Sequence, residues 1–139
     1  MPATTFDIDA IAAGGGMVLR FENGAPIYSR GDPGDCAFIV ARGRVRIGNG
    51  VAIEVVRPGE IFGEASLIDG SPRMASATAS GPTEVVVIQP DLFFVLCRDD
   101  SDFADAVMRL MARRLRATLA ALDRVTGDGR PDLRIIAGG

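Results

Sequence analysis

Between Met17 and Gln89 the apolar residues fall into short runs: Met17–Glu22, Ala25–Ser29, Cys36–Ala41, Arg44–Gly48, Val51–Arg57 and Glu84–Gln89. Turn-forming sequences separate them, namely Glu22-Asn23-Gly24, Arg30-Gly31-Asp32-Pro33-Gly34-Asp35, Gly48-Asn49-Gly50 and Arg57-Pro58-Gly59. In Arg44-Val45-Arg46-Ile47 charged and apolar residues alternate, so the arginines face out and Val45 and Ile47 face in. Strands this short, with turns this regular, predict a sandwich or barrel, and a jelly roll is the natural candidate. Gly24, Gly31, Gly34, Gly43 and Gly59 read as turn glycines that need unusual backbone angles.

The flanks follow a different period. In residues 1–16, Phe6-Asp7-Ile8-Asp9-Ala10-Ile11 predicts one or two helical turns ended by Gly14-Gly15-Gly16. Pro90 suits a first helical position, and Leu92-Phe93-Phe94-Val95-Leu96 carries that helix to Arg98. Asp99-Asp100-Ser101 makes a break and a cap. The next helix has Asp102 and Asp105 in its first turn and Arg113, Arg114, Arg116 and Arg124 toward its end, matching the helix dipole at both ends. Phe103, Val107, Leu110, Met111, Leu115, Leu119 and Leu122 recur at three- and four-residue steps and predict one buried stripe. Thr126–Gly139 is rich in Gly, Asp and Arg and reads as a loose tail, in which Leu133-Arg134-Ile135-Ile136 is a candidate to dock on the body. The expected organisation is a helical segment over 1–16, a β-barrel over 17–89, C-terminal helices over 90–125 and a tail over 126–139. The fold class is mainly β with flanking helices.

Composition narrows the chemistry. With 139 residues, 47% apolar and 24% charged, the chain is one ordinary globular domain. A net charge of −3 does not steer it toward nucleic acid or an anionic membrane. All fifteen basic residues are arginine, the better residue for gripping phosphate in a fork. Histidine is absent, which removes the commonest metal ligand and the usual general base, so neither a metal site nor a catalytic residue is expected. Cys36 and Cys97 sit far apart in apolar runs and read as small buried hydrophobes. No signal-peptide pattern follows Met1, and no apolar run approaches the roughly 20 residues of a membrane span. A cytoplasmic protein is expected.

One segment breaks the rhythm of strands: Phe62-Gly63-Glu64-Ala65-Ser66-Leu67-Ile68-Asp69-Gly70-Ser71-Pro72-Arg73-Met74-Ala75-Ser76-Ala77. A glycine, small residues and a brief helical pattern put backbone N–H groups around a helix N-terminus, which favours an anion. Arg73, after the Gly70-Ser71-Pro72 turn, is placed to close on that anion with paired donors. Glu64 offers an acceptor to a hydroxyl, as acidic residues do for ribose in dinucleotide folds. An anion, a hydroxyl and close backbone approach together describe a sugar phosphate.

This segment resembles the phosphate-binding cassette of cyclic nucleotide-binding domains, found in bacterial catabolite activators, protein kinase A regulatory subunits and cyclic-nucleotide-gated channels. The likeness extends over Ile27–Gly43, similar to the family's glycine-and-aspartate turn between strands, and to Met111-Ala112-Arg113-Arg114-Leu115, similar to the activators' C-terminal helix. It implies that Arg73 pairs with the cyclic phosphate and that Glu64 accepts from the ribose 2′-hydroxyl. It also implies that the N–H groups of Ser66 and Met74 point at phosphate oxygens and that Gly63 lets the ribose approach. Ala65 and Ala75 complete the cassette's contact set. Asp35 corresponds to an aspartate that orients the cassette arginine. Thr118 falls where the activators meet the adenine, although Leu119 replaces a polar neighbour. In cGMP-selective members a threonine follows the cassette arginine; Met74 stands there, so cAMP is favoured over cGMP.

Plainer readings stand beside these. Arg73 and Glu64 could instead be no more than a surface ion pair, Asp35 ordinary turn chemistry and Thr118 a helical threonine bonded to its own turn. The arginines at 113, 114 and 116 read as a solvated helix face before they read as a nucleic-acid patch. The expectation is a cyclic nucleotide sensor, not an enzyme, acting through an unidentified effector protein or a homodimer along the stripe of residues 103–122. A monomer with that stripe folded inward is equally allowed. Because only Thr126–Gly139 follows the long helix, direct DNA binding is not expected. The competitors are an interaction module that has lost its ligand and, remotely, a histidine-dependent jelly-roll enzyme, or a fragment of a longer channel or kinase subunit.

Overall fold

A computed structural model describes residues 6–48 and 53–126. The short helix α1 (Ile8–Ala13) starts at Asp7, whose side chain accepts a hydrogen bond from the Ala10 N–H at 3.1 Å. The strands are β1 (Met17–Phe21), β2 (Pro26–Tyr28), β3 (Ala37–Gly48), β4 (Ile53–Val56), β5 (Ile61–Phe62) and β6 (Ser76–Ile88). Helix α2 (Glu64–Asp69) interrupts them between β5 and β6, and α3 (Pro90–Asp99) and α4 (Ser101–Thr126) follow.

Two long strands organise the rest. The runs expected as separate strands at Cys36–Ala41 and Arg44–Gly48 are one strand, β3, with register shifts on either side of Arg42. Gly43 makes the irregularity possible: its φ is +81°, and a Cβ there would run into the Pro82 carbonyl oxygen. Its partner β6 passes Gly81 at φ +79°, and the Thr83 hydroxyl donates to the Arg44 and Gly81 carbonyls nearby. The first half of β6 was not expected as a strand. Its inward residues are Ala77 and Ala79, which bury fully but carry too little apolar weight to mark an alternating run.

Strand pairing follows these irregularities. β1 pairs antiparallel with β6 over residues 83–87, and β5 with β3 at Phe38 and Ile39. β2 pairs with β6 at Ala77 and Thr78, and β4 with β3 from Val45 to Gly48. Each half of the β3–β6 ribbon therefore carries its own pair of outer strands. Among the described residues the pairings form a mainly antiparallel six-stranded sheet in the order β1-β6-β3-β4, with β2 and β5 beside it. They do not close into the expected barrel, because β1 and β4 end the ladder without a further partner.

The two faces of the first half explain its unbroken apolar sequence. Phe38, Val40, Val85 and Val87 point into a core shared with Val45, Val56, Phe62 and Ala77. Their neighbours Ala37, Ile39, Val86 and Ile88 point the other way, against Phe6, Ile11, Phe93, Phe103, Val107 and Leu110 of the helices. A strand covered on both faces reads as a continuous apolar run. Asp100 Oδ1 caps α4 by accepting from the N–H groups of Asp102 and Phe103 at 3.1 and 3.2 Å.

The apolar stripe of α4 is not buried as one. Phe103, Val107 and Leu110 pack inward, while Met111, Leu115 and Leu119 are exposed. The inward line continues instead through Arg114 and Ala121. The tail expected from Thr126 onward, with its candidate docking segment at 133–136, lies outside the described residues apart from Thr126. No helix of the described residues is long and apolar enough to cross a membrane.

Candidate functional site

The site begins at a glycine that only glycine fits. Gly63 caps α2 at φ +77° and ψ 8°, and a Cβ on it would stand 2.7 Å from Arg73 Nη1 and 3.3 Å from the Phe38 ring. The first-turn amides of α2, those of Glu64, Ala65 and Ser66, have no acceptor within the helix. Gly70 closes the far end at φ +73°, donating its N–H to the Ser66 carbonyl at 2.8 Å. The chain then returns along the 31–32 turn: the Arg73 N–H donates to Asp32 O at 2.9 Å, and the Gly31 N–H donates to Arg73 O at 2.8 Å. That turn is itself tightened by the Asp32 carboxylate, which accepts from the Ser29 N–H at 2.9 Å.

The Arg73 side chain runs inward and is only 5% exposed. Nη1 donates to the Gly63 carbonyl at 2.7 Å and Nη2 to the Cys36 carbonyl at 2.8 Å, with the Cys36 sulfur 3.8 Å away. Its guanidinium lies 4.3 Å from the centroid of the Tyr28 ring and 5.6 Å from that of Phe38. Gly34 presses on the same group, since a Cβ there would be 2.6 Å from Arg73 Nε and 2.6 Å from Ser66 Cβ. Gly34 was expected as a turn glycine with unusual angles. Its φ is not positive, and what requires glycine is the close approach. Arg73 Nε, buried against it, has no protein acceptor.

Glu64 is 4% exposed, and its partner is not Arg73. Oε1 accepts from Nη1 of Arg114 on α4 at 2.6 Å. Arg114 also donates through Nε to Glu54 Oε1 at 3.0 Å and through Nη2 to the Ile61 carbonyl. Burial works against the charge of Arg114, but Glu64 and Glu54 outweigh it and raise its pKa. Glu64 Oε2 is buried with no hydrogen-bond donor from the protein.

Around these groups opens a cleft of about 450 Å³. Gly63, Glu64, Ala65, Ser66, Arg73, Met74, Ala75 and Thr118, eight of the nine residues singled out from the sequence, line it. Asp35 does not: it is exposed, and no hydrogen bond among the described residues joins it to Arg73. Thr118 lines the rim with its hydroxyl donated to the Arg114 carbonyl at 2.9 Å, one turn back along its own helix. Met74 stands 68% exposed at the mouth.

Sequence reasoning missed Tyr28, Gly34 and Arg114. Arg114 was grouped with a solvated arginine face, although it lies four residues after Leu110 on the helix's inward line, a spacing that could have marked it. Nothing in the sequence distinguished Tyr28. Burial pushes its phenol from the ordinary 10.0 up to about 12, against the opposing pull of Arg73. Burial likewise raises the thiol pKa of Cys36 and of Cys97, both free cysteines, which disfavours the thiolate that a nucleophile needs. No group of metal-ligating side chains comes together among the described residues. The lining thus includes a buried cationic side chain, Arg73, and a buried anionic one, Glu64.

A family profile described as "Cyclic nucleotide-binding domain" matches residues 18–100. The "Cyclic AMP receptor protein" of Thermus thermophilus is 36% identical over 109 residues, covering 74% of this chain and 50% of the relative. The crystal structure of Thermus thermophilus catabolite activator protein superposes with a TM-score of 0.71 at 32% identity, over 86% of this chain and 58% of that one. A solved chain from work on a cyclic-GMP-dependent signalling pathway that regulates bacterial phytopathogenesis gives a TM-score of 0.69 at 27% identity, over 81% and 97%. The chain spans about half the length of the first curated relatives it matches.

Proposed function

This chain belongs to the cyclic nucleotide-binding domain family, and we propose that it is a regulatory module whose cleft seats the sugar phosphate of a cyclic nucleotide monophosphate. One observation carries the reading. Two buried side-chain atoms of cleft-lining residues lack protein partners, and they are opposite in kind: a cationic donor, Arg73 Nε, and an anionic acceptor, Glu64 Oε2. An unpaired buried polar atom costs about 1–3 kcal/mol. A ligand that brings an anion to one and a hydroxyl to the other removes both costs, and a cyclic nucleotide carries both groups on one rigid ring.

Arg73 binds the cyclic phosphate, helped by the backbone N–H groups of Ser66 and Met74. Glu64 accepts from the 2′-hydroxyl, with Gly63 giving the ribose room and Ala65 and Ala75 forming smooth walls. The base lies toward Met74 and Thr118. Met74 offers guanine no strong hydrogen bond, which supports cAMP over cGMP. Binding, not turnover, is the activity, and output passes to a partner chain or through self-association on the exposed residues of α4.

Calorimetric titration with cAMP, cGMP and linear AMP tests it, with cAMP expected to bind most tightly. No heat with any cyclic nucleotide overturns the proposal. Arg73→Ala is expected to weaken binding at least about tenfold, because a hydrogen bond to a charged group contributes about 1.5–3 kcal/mol.

A further inference from the structure

We propose that the outer face of β3 and β4 is a docking surface for an acidic, extended segment of a partner protein. The inference goes beyond the cleft and does not depend on its ligand. Along β3 the inward residues Val45 and Ile47 alternate with Arg44 and Arg46, which are exposed. Residues opposite each other in an antiparallel ladder share a face. Arg46 pairs with Val55 and Thr78, Arg44 with Ser80, and Gly48 with Ile53 and Ser76. The outer face therefore joins two arginines and three hydroxyl side chains to two exposed apolar ones, Ile53 at 65% and Val55 at 36%. Arg57, exposed one residue past β4, adds a third guanidinium beside them.

Charge on this face is unbalanced. Arg20 and Arg42 share Glu84, and Arg98 pairs with Asp99. The side chains of Arg44, Arg46 and Arg57 have no ion pair among the described residues. The acid of β4, Glu54, is turned through the sheet to Arg114. Glu60 is buried, with its carboxylate accepting from the Arg57 N–H at 2.7 Å. Unpaired positive charge thus collects on one face of a chain whose net charge is −3. The same face is hollowed. A trough of about 340 Å³ lies there, lined by Arg46 and Ile53 together with Asn23, Ser76, Thr78 and Ser80.

These groups select the occupant. Guanidinium forks take carboxylates, the hydroxyls hydrogen-bond a backbone, and Ile53 and Val55 take an apolar residue beside the acid. In an extended segment alternate side chains point to one side, so acidic and apolar residues two apart both meet the sheet. A nucleic acid fits less well. Fields are screened over about 8 Å at physiological ionic strength, so a short peptide meets the arginines alone. A long polyanion also meets the acidic remainder of the chain, and its backbone brings nothing apolar to Ile53 and Val55.

The probe is a synthetic peptide of Asp-Ser-Leu-Ser repeats, which sets Asp and Leu on one side of an extended chain. A matching Asn-Ser-Leu-Ser peptide and a duplex DNA are the comparisons, and binding is followed by amide shifts of isotope-labelled protein. The acidic peptide is expected to shift residues 44–48, 53–57 and 76–80, and to bind at least about fivefold more tightly than its Asn counterpart. Arg44→Gln with Arg46→Gln should remove that advantage. Arg98→Gln, which takes away a paired arginine elsewhere, should leave affinity within about twofold. The inference is overturned by no binding of the acidic peptide, by shifts confined to other surfaces, by an equal loss in Arg98→Gln, or by tighter binding of the duplex. Should the double variant fail to fold, Arg46→Gln alone decides, an unchanged affinity overturning the inference. All of these titrations are made without nucleotide, so their failure is distinct from a failure of the cleft to bind its ligand.

Discussion

Arg73 and Met74 are neighbours in sequence and line one cleft, the first buried and the second exposed. Arg73 is 5% exposed, held by two carbonyls, two aromatic rings and a glycine that leaves no space for a side chain. Met74 is 68% exposed, and Thr118, which also lines the cleft, has turned its hydroxyl to its own helix. The inner end is thus fixed by many independent contacts, and the outer end by few. In an anchor of that kind each contact helps hold the others in place, so a single substitution propagates. At the open end substitutions act locally, and ligand selectivity is adjustable there at little cost to the fold.

The largest expected effect comes from crowding the inner end. In Gly34→Ala the new methyl would lie 2.6 Å from both Arg73 Nε and Ser66 Cβ, so the guanidinium or α2 has to move. Overpacking of this kind costs about 1–3 kcal/mol, read by urea denaturation. On the proposed function, nucleotide affinity should fall at least about tenfold with it, because the displaced guanidinium is the group proposed to bind the phosphate. Unchanged stability would mean that the inner end is more yielding than its contacts imply.

A smaller effect follows from Tyr28, whose ring covers the Arg73 guanidinium. Its phenol is raised from 10.0 to about 12 by burial, so the folded protein keeps a proton that the unfolded chain releases. Unfolding therefore sheds a proton in that window, and stability should decline as pH rises from 10 toward 12. The raised thiols of Cys36 and Cys97 act in the same sense from a lower pH. The raised pKa of Arg114 puts loss of its ion pairs above this range. Denaturation across alkaline pH should show the decline, and Tyr28→Phe should flatten its upper part. A Tyr28→Phe profile identical to the wild type would contradict the burial of that phenol.

The smallest effect on stability is expected at the mouth. Met74→Thr should leave stability within about 0.5 kcal/mol, as for an exposed position. It should nevertheless raise affinity for cGMP relative to cAMP several-fold, about the worth of one added hydrogen bond. Loss of stability comparable to that of Gly34→Ala would erase the distinction between the two ends.

Much of the cassette was legible before any fold was known. Gly63, Glu64 and Arg73 lie within one local segment whose turn chemistry and helix start are set by neighbours in sequence. The flanking helices and the cap at Asp100 were readable for the same reason. Strand boundaries were harder. Gly43 signals a turn in sequence, yet here it permits β3 to continue past an irregularity, and Ala77 and Ala79 bury without advertising it. Arg114 was passed over because it stands among other arginines, although its spacing from Leu110 puts it on the helix's inward line.

The sequence by itself determined the local elements and the donors and acceptors of the cassette, since these depend on residues a few positions apart. The tertiary structure alone decided how those groups are paired. Glu64 meets Arg114 fifty residues away and Arg73 meets the carbonyl of Cys36 thirty-seven residues away. Such partnerships follow from how β3, α2 and α4 pack, and burial then makes every remaining unpaired atom count. That is why the two buried atoms left without a protein partner, Arg73 Nε and Glu64 Oε2, became visible only in the folded chain.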